Sequence, residues 1–446
     1  MTQTSLRDKK PRFFYGWYIV LASFLAHIAY AEQNSSILGV FLRPMTREFG
    51  WSRTELTGAQ SVARLVEGIF APVIGPIIDR HGPRPLMLVG SLIAGLGFLA
   101  LSQINTIWQF YLTKGLVIAI GFLCMGFMVT NTAISNWFVR LRGRAIGIAG
   151  MGTSLANVAM APVVVWMIGQ WDWRSAWMAF GLLTWIVVLV PSALLMRRRP
   201  EDEGLRPDGD EPYQTSAEMT TETHTQTSVE SEPLEPIWGR SEVVRTSAFW
   251  LIILTFSVSN LAFQGINISM VPYFEDLGFA TSIAAAALVT RAIIQLIAAP
   301  LWGFAVERID VRYLGFLKFS LQGLAALLFL IGRNIPVLFT GVIVYAIGSS
   351  GSAVISEIIW ANFFGRLTLG SIRGVGTPLL TLFSAIGPVF MNIIFDLTGS
   401  YELAFILFIF LFALSAGLIL LLKQPQATRF ARASEFGASH GASHSD

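Results

Sequence analysis

The chain has 446 residues, 54% hydrophobic and 13% charged, with 33 Phe, 13 Trp and a net charge of +3. Soluble globular proteins carry about 25% charged residues, so the composition excludes an ordinary soluble domain and points to a membrane protein. The small positive balance, without a basic patch interleaved with aromatics, excludes a nucleic-acid partner. The single cysteine, Cys124, excludes an intrachain disulfide.

Crossing the hydrocarbon takes about 20 apolar residues. Twelve such runs follow one another, near 13–38, 54–79, 84–104, 107–137, 144–168, 174–196, 248–272, 281–306, 313–332, 336–362, 373–396 and 401–423. Each is expected to be a helix, because a helix satisfies its own backbone hydrogen bonds in lipid. The predicted fold is an all-α membrane protein of twelve transmembrane helices. Lys9, Lys10 and Arg12 before the first run, and Ala29-Tyr30-Ala31 at its end, also fit a secretory signal. The run is longer than a signal core, and the repeat below requires it as a span.

Three polar segments remain. Residues 1–12 form a short N-terminal segment, and 425–446 a low-complexity tail containing His440 and His444. Residues 197–246 are rich in Thr, Ser, Glu and Pro, which predicts a disordered linker. Basic residues gather at alternate ends of the spans, and only Arg43, Arg47, Arg53, Arg174 and Arg333 fall on the other side. The positive-inside rule then places both termini and the linker in the cytoplasm. No transit signal is present, so the cell (inner) membrane is the expected location.

The two halves repeat. A shift of 226 carries Asn136, Phe138, Arg140 and Pro162 onto Asn362, Phe364, Arg366 and Pro388. A shift of 228 carries Pro44, Gly50, Gly75, Arg80 and Arg84 onto Pro272, Gly278, Gly303, Arg308 and Arg312, and Ala176 onto Ala404. The chain therefore reads as two six-helix bundles, 13–196 and 247–424, in the same orientation. A parallel repeat of this kind places a binding site between the halves near the bilayer midplane.

Gly75, Asp79, Arg80, Gly82 and Arg84, in "GPIIDRHGPRP", match the loop two–three signature of the major facilitator superfamily. "WGFAVERIDVR" from Trp302 to Arg312 is its weaker echo. Within that superfamily the chain resembles the monocarboxylate porter family. "WFVRLRGRAIGIAGMG" is similar to the family's span-five signature, and "FYGWY" and "DLTGSYELAF" are similar to two further family segments. The oxalate–formate antiporters are close in kind. The resemblance implies a monomeric secondary transporter working by alternating access on a small organic anion, with a proton as co-substrate and no cofactor. It also implies a functional arginine in span eight. At three positions the chain departs from the pattern. The family's aspartate four residues before that arginine is Ala287 here. The proton-carrying lysine of animal members aligns with Ser36, and the span-one acid with Phe14.

The residues also carry physical readings of their own. Asp79 closes span two and can accept hydrogen bonds from a neighbouring helix N-terminus. With Gly75, Arg80, Gly82, Arg84, Arg140 and Arg144 it forms the candidate cytoplasmic gate; a plain topology-setting turn is the alternative. The glycines of Gly143–Gly152 offer faces for close helix packing.

A charge at a helix centre costs about 2.5–3.5 kcal/mol, so the charges left inside spans mark a cavity or a partner. Arg291 in span eight leads, since its guanidinium can hold a carboxylate through two parallel bonds; the alternative is a structural ion pair, for instance with Glu357. Arg64 and Glu67 share a helix face. They are read either as a self-satisfied pair or as a gating or proton-coupling pair. Glu357 aligns with Asn131 and is a proton-coupling candidate, as are His27 and Glu32, with Glu32 near a hydrated helix end. Lys114 and Lys318 are expected to reach the two surfaces. Asn131, Gln264, Asn267, Tyr345 and Asn392 are candidate cavity-lining groups or interhelical hydrogen bonds.

No Ser/His/Asp set, metal-ligand cluster or nucleotide loop suggests an enzyme. The expected function is transport of a monocarboxylate, with dicarboxylate/monocarboxylate exchange as the main alternative. A sensor on the same scaffold is the reading outside transport.

Overall fold

A computed structural model describes residues 13–30, 32, 35–210, 234–427 and 429–431. The N-terminal segment 1–12, linker residues 211–233, and tail residues 432–446 with His440 and His444 lie outside the described residues.

Thirteen helices carry the fold: α1 (Gly16–Tyr30), α2 (Ser35–Phe49), α3 (Arg53–His81), α4 (Pro83–Leu101), α5 (Ile107–Trp137), α6 (Arg142–Gln170), α7 (Trp173–Leu195), α8 (Ser247–Asp276), α9 (Thr281–Val306), α10 (Val311–Ile331), α11 (Ile335–Phe364), α12 (Leu369–Thr398) and α13 (Glu402–Leu420). Among the described residues ten of these are long and apolar enough to span a membrane, or eleven if the bent α6 counts as one span. Their outward faces are apolar, as at Ile69, Ile186, Ile297 and Phe410. Polar residues punctuate the chain. Ser52, Asp172, Thr246, Asp310 and Asn334 each accept a backbone hydrogen bond at the start of a helix. Gly82 takes a φ of 79° where α3 turns into α4, a conformation in which a side chain is strained.

The first predicted run is not one continuous helix. α1 stops at Tyr30 and α2 restarts at Ser35, carrying Arg43, Pro44, Arg47 and Glu48. Counted together as one broken segment, α1 and α2 make twelve segments, six before the linker and six after.

The halves meet along two seams built alike. On one, a Cβ at Gly75 would strike the Gly370 backbone, and one at Gly374 would stand 2.7 Å from Ala71 O. On the other, a Cβ at Gly303 would stand 2.5 Å from Gly143 O, and one at Gly147 would stand 2.9 Å from Ala299 O. Position for position, α3 and α12 on one side correspond to α9 and α6 on the other. Only glycine lets the backbones approach so closely. The four glycines lie towards the end of the bundle bearing the α3–α4 turn, called here the latched end.

The linker is ordered at both edges, contrary to the expectation of disorder over 197–246. Asp208 accepts backbone bonds from Val139, Arg140 and Leu141 at 3.1, 2.7 and 3.0 Å. Glu235–Pro236 pairs antiparallel with Phe430–Ala431, so the edge of the tail is ordered too. Composition alone misses this order, because it comes from contacts with the helix ends.

Candidate functional site

Arg291 lies ten residues into α9, about 15 Å from its start at 1.5 Å per residue. Its guanidinium donates to Asn267 Oδ1 on α8. Asn267 in turn donates to Gln264 at 3.5 Å. Tyr345 of α11 is close enough to interact electrostatically with Arg291, and its hydroxyl donates to Phe263 O at 2.9 Å. Gln295, one turn along α9, donates to Ser349 at 2.8 Å. Arg291 Nε is buried without a hydrogen-bond partner, and no carboxylate pairs with Arg291 among the described residues. The pairing with Glu357 offered as the alternative does not form. Asn392 is exposed on α12.

At a similar depth in the other half, Arg64 donates to Tyr30 Oη and to Glu67 Oε2, both at 3.1 Å. In the repeat register Arg64 sits one position past the counterpart of Arg291, and Glu67 corresponds to Gln295. The Arg64 side chain is 30% exposed and that of Glu67 11%.

Glu32 and Lys114 differ from expectation. Instead of lying hydrated and near a surface, they form an ion pair of 2.7 Å, at 1% and 0% side-chain exposure. Lys114 sits in a π-helical stretch, Tyr111–Ile118, which turns it inward. Lys318 is also buried, with its ammonium over the Phe319 ring at 4.0 Å. His27 is buried, with Nδ1 2.9 Å from Ala149 O and Nε2 2.8 Å from Thr130 Oγ1.

The latched end is heavily bonded. Asp79 accepts from Gly370 N at 2.9 Å and Ser371 N at 2.7 Å, across the seam at the N-terminus of α12. A carboxylate is favoured there by the unpaired amides and the helix dipole. Its repeat counterpart, Glu307, pairs with Arg144 at the start of α6 at 2.7 Å. Arg373 of α12 pairs with Glu357 of α11 at 2.6 Å and donates to Met128 O in the other half at 3.4 Å. Asn131 faces the same Glu357 carboxylate. Arg366 donates to Asn136 O at 2.6 Å and pairs with Glu201 and Glu235, at 2.5 and 2.7 Å. Burial opposes the charge on Arg366, but Glu235 and Glu201 more than offset it, so its pKa stands above the ordinary arginine value. Arg80, Arg84 and Arg140 lie outside the seam: all three are exposed, and Arg140 pairs with Asp210 of the linker at 3.2 Å. A charged side chain at a helix end is best solvated at the surface.

Residues 19–291 match the family described as the Major Facilitator Superfamily. The chain belongs to that superfamily. Among its relatives, human monocarboxylate transporter 2 is 24% identical over 404 residues, spanning 87% of this chain and 81% of the relative. Mouse monocarboxylate transporter 12 is 23% identical over 453 residues, spanning 96% and 90%. Two solved structures share the fold. The human organic anion transporter MFSD10 (TETRAN) has a TM-score of 0.64 at 15% identity, covering 92% of this chain and all of its own. The transporter FucP in the outward conformation has a TM-score of 0.67 at 13% identity, covering 92% and 99%.

For this Major Facilitator Superfamily chain, sequence reasoning found Asp79 and Arg144 but missed Glu307, Arg373, Arg366, Glu201 and Glu235. The repeat held one usable signal, since the 228 shift carries Asp79 onto Glu307. Arg366 was visible as the counterpart of Arg140, yet the two have different partners. Glu201 and Glu235 sit in the linker, where composition argued against any fixed contact.

Proposed function

We propose that the chain is a secondary transporter that carries a small monocarboxylate across the cell membrane by alternating access, with its latched end and both termini in the cytoplasm. The names of its relatives, monocarboxylate transporters, support the substrate class. One observation carries the reading. At mid-depth, Arg64 is paired with Glu67 and Lys114 with Glu32, while Arg291 has only amide and phenol neighbours among the described residues. Of these three cations Arg291 alone has no carboxylate partner among the described residues, which suits a monoanion. Each charge-assisted hydrogen bond from Arg291 to a carboxylate contributes about 1.5–3 kcal/mol. Asn267 holds the guanidinium, and Tyr345 and Gln264 flank it. A dicarboxylate would need a second cation; Lys114 is held by buried Glu32, and Arg64 by Glu67 for as long as that carboxylate is charged.

The test is uptake of labelled lactate, pyruvate, formate and oxalate into proteoliposomes, with counterflow to separate transport from ligand sensing. Monocarboxylates are expected to be carried. Arg291→Ala is expected to abolish their uptake and Arg291→Lys to retain a small fraction, since lysine cannot supply the planar fork. Parent-level transport by both variants overturns the role of Arg291. A wild type that binds these anions without moving them overturns transport.

A further inference from the structure

We propose that Glu67 binds the co-transported proton, and that it does so by exchanging its hold on Arg64 with the substrate carboxylate. The proposal rests on the reading of the chain as a monocarboxylate transporter and assigns the coupling step to one side chain.

Besides Asp79 at the latched end, four carboxylates and imidazoles among the described residues of the bundle are buried: His27, Glu32, Glu67 and Glu357. Both ring nitrogens of His27 have partners. The side chains of Glu32 and its partner Lys114 are at most 1% exposed and hold each other at 2.7 Å. Glu357 is held by Arg373 where the halves join at the latched end, a gate position. Glu67 differs on three counts. Its partner Arg64 is 30% exposed, so the pair is not sealed inside the protein as Glu32 and Lys114 are. Its Oε2 is engaged by Arg64, and by Tyr30 Oη at 3.4 Å, while Oε1 is buried with no hydrogen-bond partner among the described residues. It also lies on α3, the helix that forms the seam, beside Gly68, where a Cβ would meet Thr381 and Pro378 of α12 at 3.4 and 3.7 Å.

The groups facing Glu67 are few. Arg64 comes from its own helix, Tyr30 from the last turn of α1, and Lys114 from α5 with its own partner Glu32. On α12 the neighbours at this level are Thr381 and Pro378. Arg64 therefore serves two possible anions, Glu67 and an incoming carboxylate.

The step balances simply. A proton from the aqueous side forms an O–H bond at Glu67 Oε1. The Arg64–Glu67 ion pair becomes a neutral contact, and the substrate carboxylate accepts from the Arg64 guanidinium that Glu67 has released. Before loading, Arg291, Arg64 and Glu67 sum to one positive charge. After loading, Arg291, Arg64, neutral Glu67 and the substrate anion sum to the same. Empty and loaded carriers thus present equal charge to the membrane interior, where net charge is costly. The substrate without its proton would leave Glu67 and the carboxylate competing for Arg64, with no net positive charge at the site.

The experiment uses the full-length protein and pyruvate as probe. Tryptophan fluorescence measures pyruvate affinity against pH in detergent, and proteoliposomes measure uptake under an inward proton gradient and counterflow at equal pH. In the wild type, affinity is expected to weaken about tenfold per pH unit above the loading transition, as one linked proton requires. Glu67→Gln should bind pyruvate with a flat pH profile, lose its response to the gradient and keep counterflow. Glu67→Asp should restore the pH slope. The binding arm reads the proposal even if Glu67→Gln turns over slowly. A Glu67→Gln variant that keeps the tenfold slope or the full gradient response overturns the assignment of Glu67. A wild type that handles no carboxylate at all sinks the transport reading instead.

Discussion

Asp79→Asn should loosen the latched end without unfolding the bundle. The Asp79 carboxylate receives two short backbone bonds, 2.9 Å from Gly370 and 2.7 Å from Ser371, at the first turn of α12. Hydrogen bonds to a charged group contribute about 1.5–3 kcal/mol each, and the helix terminus adds about 0.3–1 kcal/mol. Asparagine keeps one neutral acceptor oxygen, so the expected loss is about 2 kcal/mol of the latched state relative to the unlatched one. At about 1.4 kcal/mol per decade, the ratio of the two states shifts roughly 30-fold. Spin labels on Arg80→Cys and Arg308→Cys, in a Cys124→Ser background, report the shift, because both positions are exposed, Arg80 in the last turn of α3 and Arg308 just past the end of α9. Electron–electron distance distributions should gain a long component in Asp79→Asn. The same measurement on Glu307→Gln should show a smaller change, since its partner Arg144 is 35% exposed and a solvent-screened pair contributes about 0–1 kcal/mol. If the Asp79→Asn distribution matches the parent within about threefold in the population ratio, the latch argument fails.

Three other outcomes follow from the same geometry. Gly303→Val places a branched side chain where a Cβ already stands 2.5 Å from Gly143 O; substrate exchange should fall sharply while membrane insertion persists, checked by counterflow against expression level. Removing one member of the Glu357–Arg373 pair, as in Arg373→Ala, should lower thermal stability by an amount equivalent to about 3–5 kcal/mol, whereas Glu357→Leu with Arg373→Leu should recover part of it in the same melting assay. In acid, the loop between α6 and α7 should loosen: backbone bonding from Ser175 holds Asp172 below the ordinary aspartate pKa, so its contribution is complete above about pH 4 and disappears as the pH falls through the depressed value. Hydrogen exchange at residues 172–176, compared at neutral pH and below pH 4, should show this, and Asp172→Ala should abolish the difference.

Much of the site could be read in the sequence because lipid leaves so few ways to place a charge. Arg291, Arg64, Glu67 and Glu357 stood out as ionisable residues within apolar runs, and each is a partly or fully buried group in the fold. Their partners were not readable. Glu357 pairs with Arg373, 16 positions away, and Lys114 with Glu32, 82 positions away; hydropathy carries no term for which helix neighbours which. Lys114 and Lys318 were expected to reach the surfaces because both stems are long enough. The π-helical stretch at Tyr111–Ile118 and the Phe256 and Phe319 rings turned them inward instead.

Hydrophobic length and the basic-residue bias set the spans, and an offset of 226 to 228 residues set the division into two like bundles. Both are one-dimensional properties, governed by how far a helix rises per residue and by the cost of charge in hydrocarbon. The fold alone decided that Arg291 has no carboxylate partner among the described residues, that Asp79 meets the start of α12, and that the linker edges strap Arg366. Those outcomes depend on glycine faces bringing two seams within van der Waals contact, and only that close approach selects one ion pair among the several that charge and length allow.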